Sequence, residues 1–198
     1  MKVVLASGNN GKLRELTALL APHGLTLLKQ TELGVISVDE TGETFEANAL
    51  LKARHAAQVT GLPAIADDSG IEVDALDGRP GVRSARFAGE HATDEQNLQL
   101  LLQQLANTPD AQRTARYRCV IVMVRSADDP QPLVAQGAWE GTLVRANRGE
   151  GGFGYDPIFL PVGSALTVAE IDEHTKNTMS HRAQALRALV AQEPWAPR

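Results

Sequence analysis

The sequence contains a single cysteine, Cys119, among its 198 residues. One cysteine excludes an intrachain disulfide framework and favours a reducing compartment. Aromatic residues make up only 4% of the chain, and no apolar run is long enough to span a bilayer or to act as a secretory leader. We therefore expect a cytoplasmic protein with no membrane partner. Since Cys119 lies in the strand-like run Tyr117–Val124, we expect a buried structural thiol.

The chain also lacks an excess of positive charge, because its formal net charge is −5. That balance disfavours a nucleic-acid polymer as partner. A small phosphorylated ligand needs only a local group of lysines and arginines, and the surplus carboxylates leave room for a divalent cation. With 43% hydrophobic and 22% charged residues, the composition is that of a globular protein, and the length predicts one large domain or one domain with a subsidiary lobe.

The first dozen residues combine three features. Val3–Leu5 form a short apolar run, Ser7–Gly11 are small and turn-forming, and leucines then recur at helical spacing from Leu13. A strand that enters a helix through such a loop places backbone N–H groups and Lys12 where an anion can bind. The spacing matches neither a Walker loop nor a dinucleotide fingerprint, and an ordinary turn with a surface lysine fits this stretch equally well.

Helices alternate with strands in the first half of the chain, and a hairpin follows in the second half. This order predicts one α/β domain with a mixed sheet. The predicted strands are Leu25–Leu28, Pro63–Ala66, Ile71–Leu76, Thr114–Arg125, Leu133–Leu143 and the extended piece Tyr155–Leu160. The predicted helices run from the loop to about Ala21, from Thr44 to Gly61, from the capping box at Thr93 to Leu105, over Ala169–His174, and from Ser180 to Val190.

Two adjacent carboxylates, Asp67 and Asp68, follow the apolar run Pro63–Ala66. Burying them without a cation is expensive, and neighbours on a strand point to opposite faces, so one of them is expected to enter a given site. Carboxylate oxygens suit Mg²⁺, which commonly binds one or two carboxylates together with phosphate and water. The alternative is a solvated turn, because Asp-Ser-Gly is a common turn sequence.

Two further stretches are candidates for ligand binding. The segment Gly149–Pro157 surrounds Phe153 and Tyr155 with glycines, which suits close approach of a ligand and stacking on a base. Lys176 precedes Ser180-His181-Arg182 at the start of the last helix, where unpaired N–H groups add to a site. A floppy hairpin loop and a plain capped helix are the alternatives.

Taken together, these segments resemble the Ham1/RdgB family of inosine/xanthosine triphosphate pyrophosphatases over almost the whole chain. The matching motifs are Ser7-Gly-Asn-x-Gly-Lys12, Glu40-Thr-Gly-x-Thr-Phe45, Asn48-Ala-x-x-Lys52-Ala, Ala66-Asp-Asp-Ser-Gly70, Pro80-Gly-Val-x-Ser-Ala-Arg86, Gly151-Gly-Phe-Gly-Tyr-Asp-Pro157 and Ser180-His-Arg182.

The resemblance implies an elongated mixed β-sheet flanked by helices, with two lobes and a central cleft. It implies a homodimer, with the hairpin of residues 114–144 in the smaller lobe or in the dimer interface. It also implies Mg²⁺-dependent hydrolysis of ITP, dITP and XTP to the monophosphate and pyrophosphate, by cleavage between the α- and β-phosphates.

The resemblance also assigns roles to residues of this chain. Asp68 is implied as the catalytic carboxylate and metal ligand, and Glu40 as a further metal ligand. The implied nucleotide-binding residues are Ser7, Gly8, Asn9, Asn10, Gly11, Lys12, Ser69, Phe153, Gly154, Tyr155, Asp156, Lys176, His181 and Arg182.

Two other functions fit parts of the pattern. One is a Maf-like pyrophosphatase for modified pyrimidine nucleotides, which the motifs around Phe153 and His181 disfavour. The other is a nucleotide-binding module without catalysis, in which Asp68 is structural. Glycosidase chemistry from Asp67 and Asp68 is excluded, because adjacent residues cannot flank a scissile bond.

Overall fold

The computed structural model describes residues 1–8, 12–13, 16–17 and 20–192. The strands within them are β1 (Lys2–Leu5), β2 (Thr26–Lys29), β3 (Ala64–Val73), β4 (Thr114–Val124), β5 (Leu133–Leu143) and β6 (Phe159–Pro161). They form one sheet in the order β2-β1-β3-β4-β5-β6. β1 is parallel to β2 and β3, whereas β5 and β6 are antiparallel. The predicted mixed α/β sheet is confirmed, and the two strands of the predicted hairpin are neighbours.

The helices begin where the sequence supplies caps. They are α1 (Phe45–Thr60), α2 (Asp94–Gln104), α3 (Glu173–Met179) and α4 (His181–Val190), and residues 12–13, 16–17 and 20 are also helical. The Thr44 side chain accepts from the backbone N–H of Ala47, and Thr93 forms a capping box with Gln96. No helix in the described part of the chain is long and apolar enough to cross a membrane.

Several predicted elements differ from the structure. The extended piece predicted over Tyr155–Leu160 is a turn up to Ile158, because the N–H groups of Ile158 and Phe159 donate to the carbonyl oxygen of Tyr155. The strand predicted over Ile71–Leu76 ends at Val73, where a 3-10 turn begins.

Strand β3 and the third helix also differ in their bounds. The strand predicted to end at Ala66 continues to Val73, because β3 also lies beside β4, whereas β1 pairs with Ala64 and Ile65 at its beginning. The helix predicted over Ala169–His174 instead runs from Glu173 to Met179, because the side chain of Asp172 caps it by accepting from the N–H of Thr175. The last six residues of the chain lie outside the described residues.

The chain divides into two compact units. The first comprises Met1–Asp68, Cys119–Gly137 and the residues from Arg182 onward, and the second comprises Ser69–Arg118 and Ala138–His181. Each has its own apolar core. The first core includes Leu5, Ile65 and the buried Cys119, as predicted, while the second includes Tyr117 and Phe159. The predicted hairpin contributes to both units, and the single-domain organisation stays a prediction.

Candidate active site

Asp68 is buried in the middle of β3 and is held by two side chains of α1. The Asn48 Nδ2 group donates to Asp68 Oδ2 at 3.1 Å, and the Lys52 ammonium lies 3.4 Å from Asp68 Oδ1. Residues four apart share one face of a helix, so a single face of α1 supplies both donors. Asn48 is itself fixed, because its Oδ1 accepts from the backbone N–H of Gly42 at 2.7 Å. The carboxylate of Asp68 therefore has a defined orientation.

Lys52 also contacts the second predicted metal ligand. Its ammonium donates to Glu40 Oε1 at 2.5 Å. The structure thus brings Glu40 and Asp68 to one ammonium group, that of Lys52, to which the sequence analysis gave no role, and their role as metal ligands stays a prediction. The signal available in the sequence was the Asn48-x-x-x-Lys52 spacing on a predicted amphipathic helix.

Asp67 has a different set of partners. The Lys12 ammonium lies 2.8 Å from Asp67 Oδ2, and Arg182 Nε lies 3.4 Å from the same oxygen. The side chain of Asp67 is completely buried. Neighbouring side chains on a strand point to opposite faces, which explains why Asp67 and Asp68 meet different cations. Two of the predicted nucleotide-binding residues, Lys12 and Arg182, are thus brought together on one carboxylate.

The two carboxylates differ in their proton affinity. Burial raises the pKa of Asp68, with the charge of Glu40 adding to the effect and Lys52 and Asn48 opposing it. Burial works the same way on Asp67, but the charges of Lys12, Arg182 and Lys52 outweigh it and hold the pKa of Asp67 well below its ordinary value. Asp67 is therefore a fixed anion, whereas Asp68 is the carboxylate with the stronger affinity for a proton.

The oxygen donors of this cluster fit a hard divalent cation. Asp68 and Glu40 supply carboxylate oxygens, and burial raises the pKa of Asp68 despite the charge of Lys52, so a bound cation would stabilise its ionised form. Within the described residues, no group of three histidine, cysteine, aspartate or glutamate side chains is arranged to hold a metal. A cation at Asp68 and Glu40 would therefore need oxygens from a ligand or water to complete its coordination.

The predicted phosphate loop is described only at its two ends. Ser7 is half-buried directly after β1, and an added Cβ at Gly8 would meet no described atom within 4 Å. Lys12 lies in the helical residues that follow and contacts Asp67. Asn9, Asn10 and Gly11 lie outside the described residues.

A second polar cluster forms around Asp156 in the second unit. Asp156 Oδ1 accepts from the Tyr117 hydroxyl at 3.0 Å, and Oδ2 accepts from the Phe153 N–H at 2.9 Å and from the Lys176 ammonium at 2.7 Å. The Lys176 ammonium also lies 4.6 Å from the centre of the Phe153 ring. Asp156 is buried and both its oxygens accept hydrogen bonds, so it orients Lys176 and the loop that carries Phe153.

The two aromatic residues of the glycine-rich loop are placed differently. Phe153 is 48% exposed, whereas Tyr155 is buried and its hydroxyl donates to the carbonyl oxygen of Ser84 at 2.8 Å. Burial raises the pKa of Tyr155, and the charge of Asp94 adds to the effect. The ring that can offer a face to a base is therefore that of Phe153.

Two glycines of this loop are required by packing within the chain itself, whether or not a ligand binds. Gly152 has φ +75°, and an added Cβ would collide with the carboxylate of Asp156. A Cβ at Gly151 would lie 2.8 Å from the carbonyl oxygen of Ala169. Gly154, by contrast, has φ +61° with open space around it. Close approach within the chain itself therefore accounts for Gly151 and Gly152.

His181 and Ser69 are the remaining predicted residues. The His181 imidazole is buried and stacks on the Tyr117 ring, with centroids 4.8 Å apart and planes inclined by 12°. Ser69 is half-buried and follows Asp68 on β3. Sequence reasoning gave Tyr117 no role in the site. The available signal was its position in a long apolar strand, which does not distinguish a core ring from a site ring.

Comparison with known proteins gives a consistent result. A sequence model described as the Ham1 family matches residues 3–192. A dITP/XTP pyrophosphatase of Shigella flexneri is 58% identical over 189 residues, which cover 96% of each chain. Among solved structures, a HAM1 protein from Coxiella burnetii has 46% identity and a TM-score of 0.93, covering 99% of this chain and 100% of its own. A nucleoside-triphosphatase / dITP/XTP pyrophosphatase from Mycobacterium abscessus has 44% identity and a TM-score of 0.80, covering 98% and 100%.

Proposed function

The chain belongs to the Ham1 family, and we propose that it is a nucleoside-triphosphate pyrophosphatase that hydrolyses ITP, dITP and XTP to the monophosphate and pyrophosphate. The observation that carries the proposal is the buried Asp68, held in one orientation by Asn48 and Lys52 beside Glu40. A relative named for the same activity, at 58% identity over nearly the full chain, supports the choice of substrate.

Asp68 is the proton acceptor of the reaction. Its raised pKa gives it the proton affinity that a general base requires, and the hydrogen bond from Asn48 fixes its direction. A water that gives its proton to Asp68 attacks the α-phosphorus. The new bond joins that phosphorus to the water oxygen, and the bond from the phosphorus to the bridging oxygen of pyrophosphate breaks.

Glu40 and Asp68 are the residues that would hold Mg²⁺. When bound, Mg²⁺ neutralises the charge of phosphate oxygens and polarises them. Lys12 and the loop that begins at Ser7 bind the triphosphate, and Lys12 offsets the negative charge of the departing pyrophosphate. Asp67 positions Lys12 for this role, because it contacts that ammonium at 2.8 Å.

The second cluster, together with His181 and Arg182, selects the base. Hypoxanthine and xanthine present an acceptor at O6, to which Lys176, His181 and Arg182 can donate, while adenine carries a donor there. Phe153 stacks on the base. Asp156 could in principle accept from the N1–H of such a base. Since its oxygens already accept from the chain, we propose that it positions Lys176 instead.

The base assignment predicts the behaviour of Arg182→Ala. Losing a donor to O6 should raise KM for ITP and reduce the preference for ITP over ATP by about tenfold, since a buried charged hydrogen bond is worth about 1.5–3 kcal/mol. Steady-state kinetics with both nucleotides measures this preference. If the ITP/ATP ratio of kcat/KM is the same in the wild type and the variant, Arg182 does not contribute to base selection.

A substrate panel tests the function as a whole. Pyrophosphate release should be fast with ITP, dITP and XTP and slow with ATP and GTP, and it should require Mg²⁺. Fast hydrolysis of modified pyrimidine nucleotides instead would favour a Maf-like enzyme. Tight ITP binding without pyrophosphate release would favour a binding module.

We further propose that the protein is a homodimer in the cytoplasm. The single cysteine of the chain, the buried Cys119, fits a reducing compartment. Light scattering coupled to size-exclusion chromatography measures the mass in solution, for which twice the chain mass of 21.2 kDa is expected. A monomer at micromolar concentration would contradict the dimer.

A further inference from the structure

Tyr117 connects parts of the second unit that lie far apart in the sequence. Its ring stacks on His181, and its hydroxyl donates to Asp156 Oδ1 at 3.0 Å. Asp156 in turn binds Lys176 and the N–H of Phe153. The side chain of Tyr117 therefore contacts His181 and Asp156 directly, and it is linked through Asp156 to Lys176 and Phe153.

The other side of Tyr117 belongs to the core. Its ring packs on Phe159 with centroids 4.7 Å apart and planes inclined by 56°. Tyr117 is buried, and a residue packed in this way keeps one rotamer and can hold its neighbours in a fixed place. The stack with His181 is nearly parallel, so it fixes the plane of the imidazole as well as its position.

Given the proposed function, on which this inference rests, we propose that Tyr117 is a positioning residue for purine-base selection. Its ring sets the plane of the His181 imidazole that donates to the base, and its hydroxyl fixes the carboxylate that holds Lys176. Tyr117 itself touches no substrate in this scheme.

The proton of the Tyr117 hydroxyl is retained across the working pH range. Burial raises the pKa of Tyr117 well above its ordinary value, and the adjacent charge of Asp156 raises it further. The hydroxyl thus remains a donor to Asp156 at neutral pH.

Two substitutions separate the ring from the hydroxyl. Tyr117→Met fills the space without an aromatic face, whereas Tyr117→Phe keeps the face and removes the hydroxyl. A matched control is Trp139→Leu, which removes another aromatic ring from the same core, where Trp139 packs on Phe159.

Tyr117→Met should lower the ITP/ATP ratio of kcat/KM by about two- to tenfold, the range expected for an aromatic pair, and mainly through KM for ITP. Tyr117→Phe should lower the ratio by a smaller factor, about twofold, because the stack persists while Asp156 loses only one of its hydrogen bonds. Trp139→Leu should lower the melting temperature without changing the ratio. A ratio that survives in Tyr117→Met, or that falls equally in Trp139→Leu, would overturn the proposal.

The free protein supplies a readout that does not depend on activity. The ring protons of His181 should carry a ring-current shift from Tyr117 in the NMR spectrum, assigned with His181→Gln among the five histidines. Tyr117→Phe should leave this shift in place and move the amide resonance of Phe153, whose N–H binds Asp156. If Tyr117→Met does not fold, Tyr117→Phe still tests the proposal. Loss of the His181 ring-current shift in Tyr117→Phe, or a Phe153 amide resonance that does not move, would contradict it.

The two proposals fail in different ways. A wild-type protein that shows no preference for ITP refutes the proposed function, whatever the NMR spectrum shows. A wild-type preference that Tyr117→Met retains refutes only the role of Tyr117.

Discussion

Removing the charge of Asp67 or of Asp68, the adjacent aspartates of β3, should change the free energy of unfolding in opposite directions. Burial raises the pKa of Asp68, so its ionised form costs folding free energy at neutral pH. Asp68→Asn removes that charge, while Lys52 keeps its ion pair with Glu40. We therefore expect Asp68→Asn to raise both the free energy of unfolding and the melting temperature at neutral pH.

Asp67→Asn is the matched control with the opposite sign. The pKa of Asp67 lies well below its ordinary value, because Lys12, Arg182 and Lys52 overcome the effect of burial. Its ionised form therefore stabilises the fold, and removing it leaves two cations without their carboxylate. Breaking a buried ion pair costs about 3–5 kcal/mol, so we expect a loss of this order, reduced to the extent that Lys12 reaches water.

The pH dependence gives the decisive assay. Thermal and urea unfolding are followed by circular dichroism between pH 4 and 8 with a chelator present. Folded Asp68 binds its proton more tightly than the unfolded chain does, so wild-type stability falls as pH rises from the ordinary carboxyl range through the raised pKa. The advantage of Asp68→Asn should therefore be near zero at about pH 4 and grow to a plateau above the raised value.

Asp67 should behave in the reverse manner. Its contribution is fully present above the ordinary carboxyl pKa and is lost only as the pH falls from there through the lowered value. The deficit of Asp67→Asn should therefore stay nearly constant between about pH 5 and 8 and begin to shrink only as the pH approaches about 4. Destabilisation by Asp68→Asn at neutral pH, or an equal pH profile for both variants, would refute the assignment of Asp68 as the carboxylate with raised proton affinity.

Two further variants test neighbouring features. Lys52→Met removes the cation beside Asp68 and should raise the pKa of that carboxyl further, so the acid limb of kcat/KM for ITP moves to higher pH; superimposable limbs would contradict this. Gly152→Ala should place a Cβ against the carboxylate of Asp156 and cost about 1–3 kcal/mol in urea unfolding. Gly154→Ala is the control, because its positive φ adds backbone strain without a collision, and an equal loss in both would exclude the collision as the cause.

Local elements of the fold were predictable because their causes are local. Thr44 and Thr93 cap helices with hydrogen bonds to residues three positions away, so the sequence carries the whole signal. The continuation of β3 beyond Ala66 was not predictable in the same way. Pairing with strands distant in the sequence holds β3 together, and Asp-Ser-Gly read locally favours a turn.

The sequence indicates candidate residues for the site but not the contacts among them. The resemblance indicated Asp68, Glu40 and Lys12. It did not indicate that Lys52 joins Glu40 to Asp68, or that Asp67 holds Lys12. These pairs depend on how a helix face and a loop meet a strand in three dimensions, and no periodicity in the sequence reports that.

The packing of the second polar cluster was not predictable from the sequence either. Glycines around Phe153 suggested space for a ligand, yet Gly152 is required by the carboxylate of Asp156. Tyr155, the other predicted stacking residue, is buried and binds the carbonyl oxygen of Ser84. Phe153 and Tyr155 lie in the same glycine-rich segment, so the local composition does not show which of the two rings is exposed. Tertiary packing decides this.

The central claim is that water attacks the α-phosphorus of a purine nucleoside triphosphate with Asp68 as proton acceptor. Hydrolysis of ITP in ¹⁸O-labelled water, followed by ³¹P NMR, tests it most directly. Our account predicts label in the monophosphate, unlabelled pyrophosphate, and a rate at least about 100-fold lower in folded Asp68→Asn. Label in pyrophosphate, release of inorganic phosphate, or a folded Asp68→Asn with near wild-type kcat would contradict it.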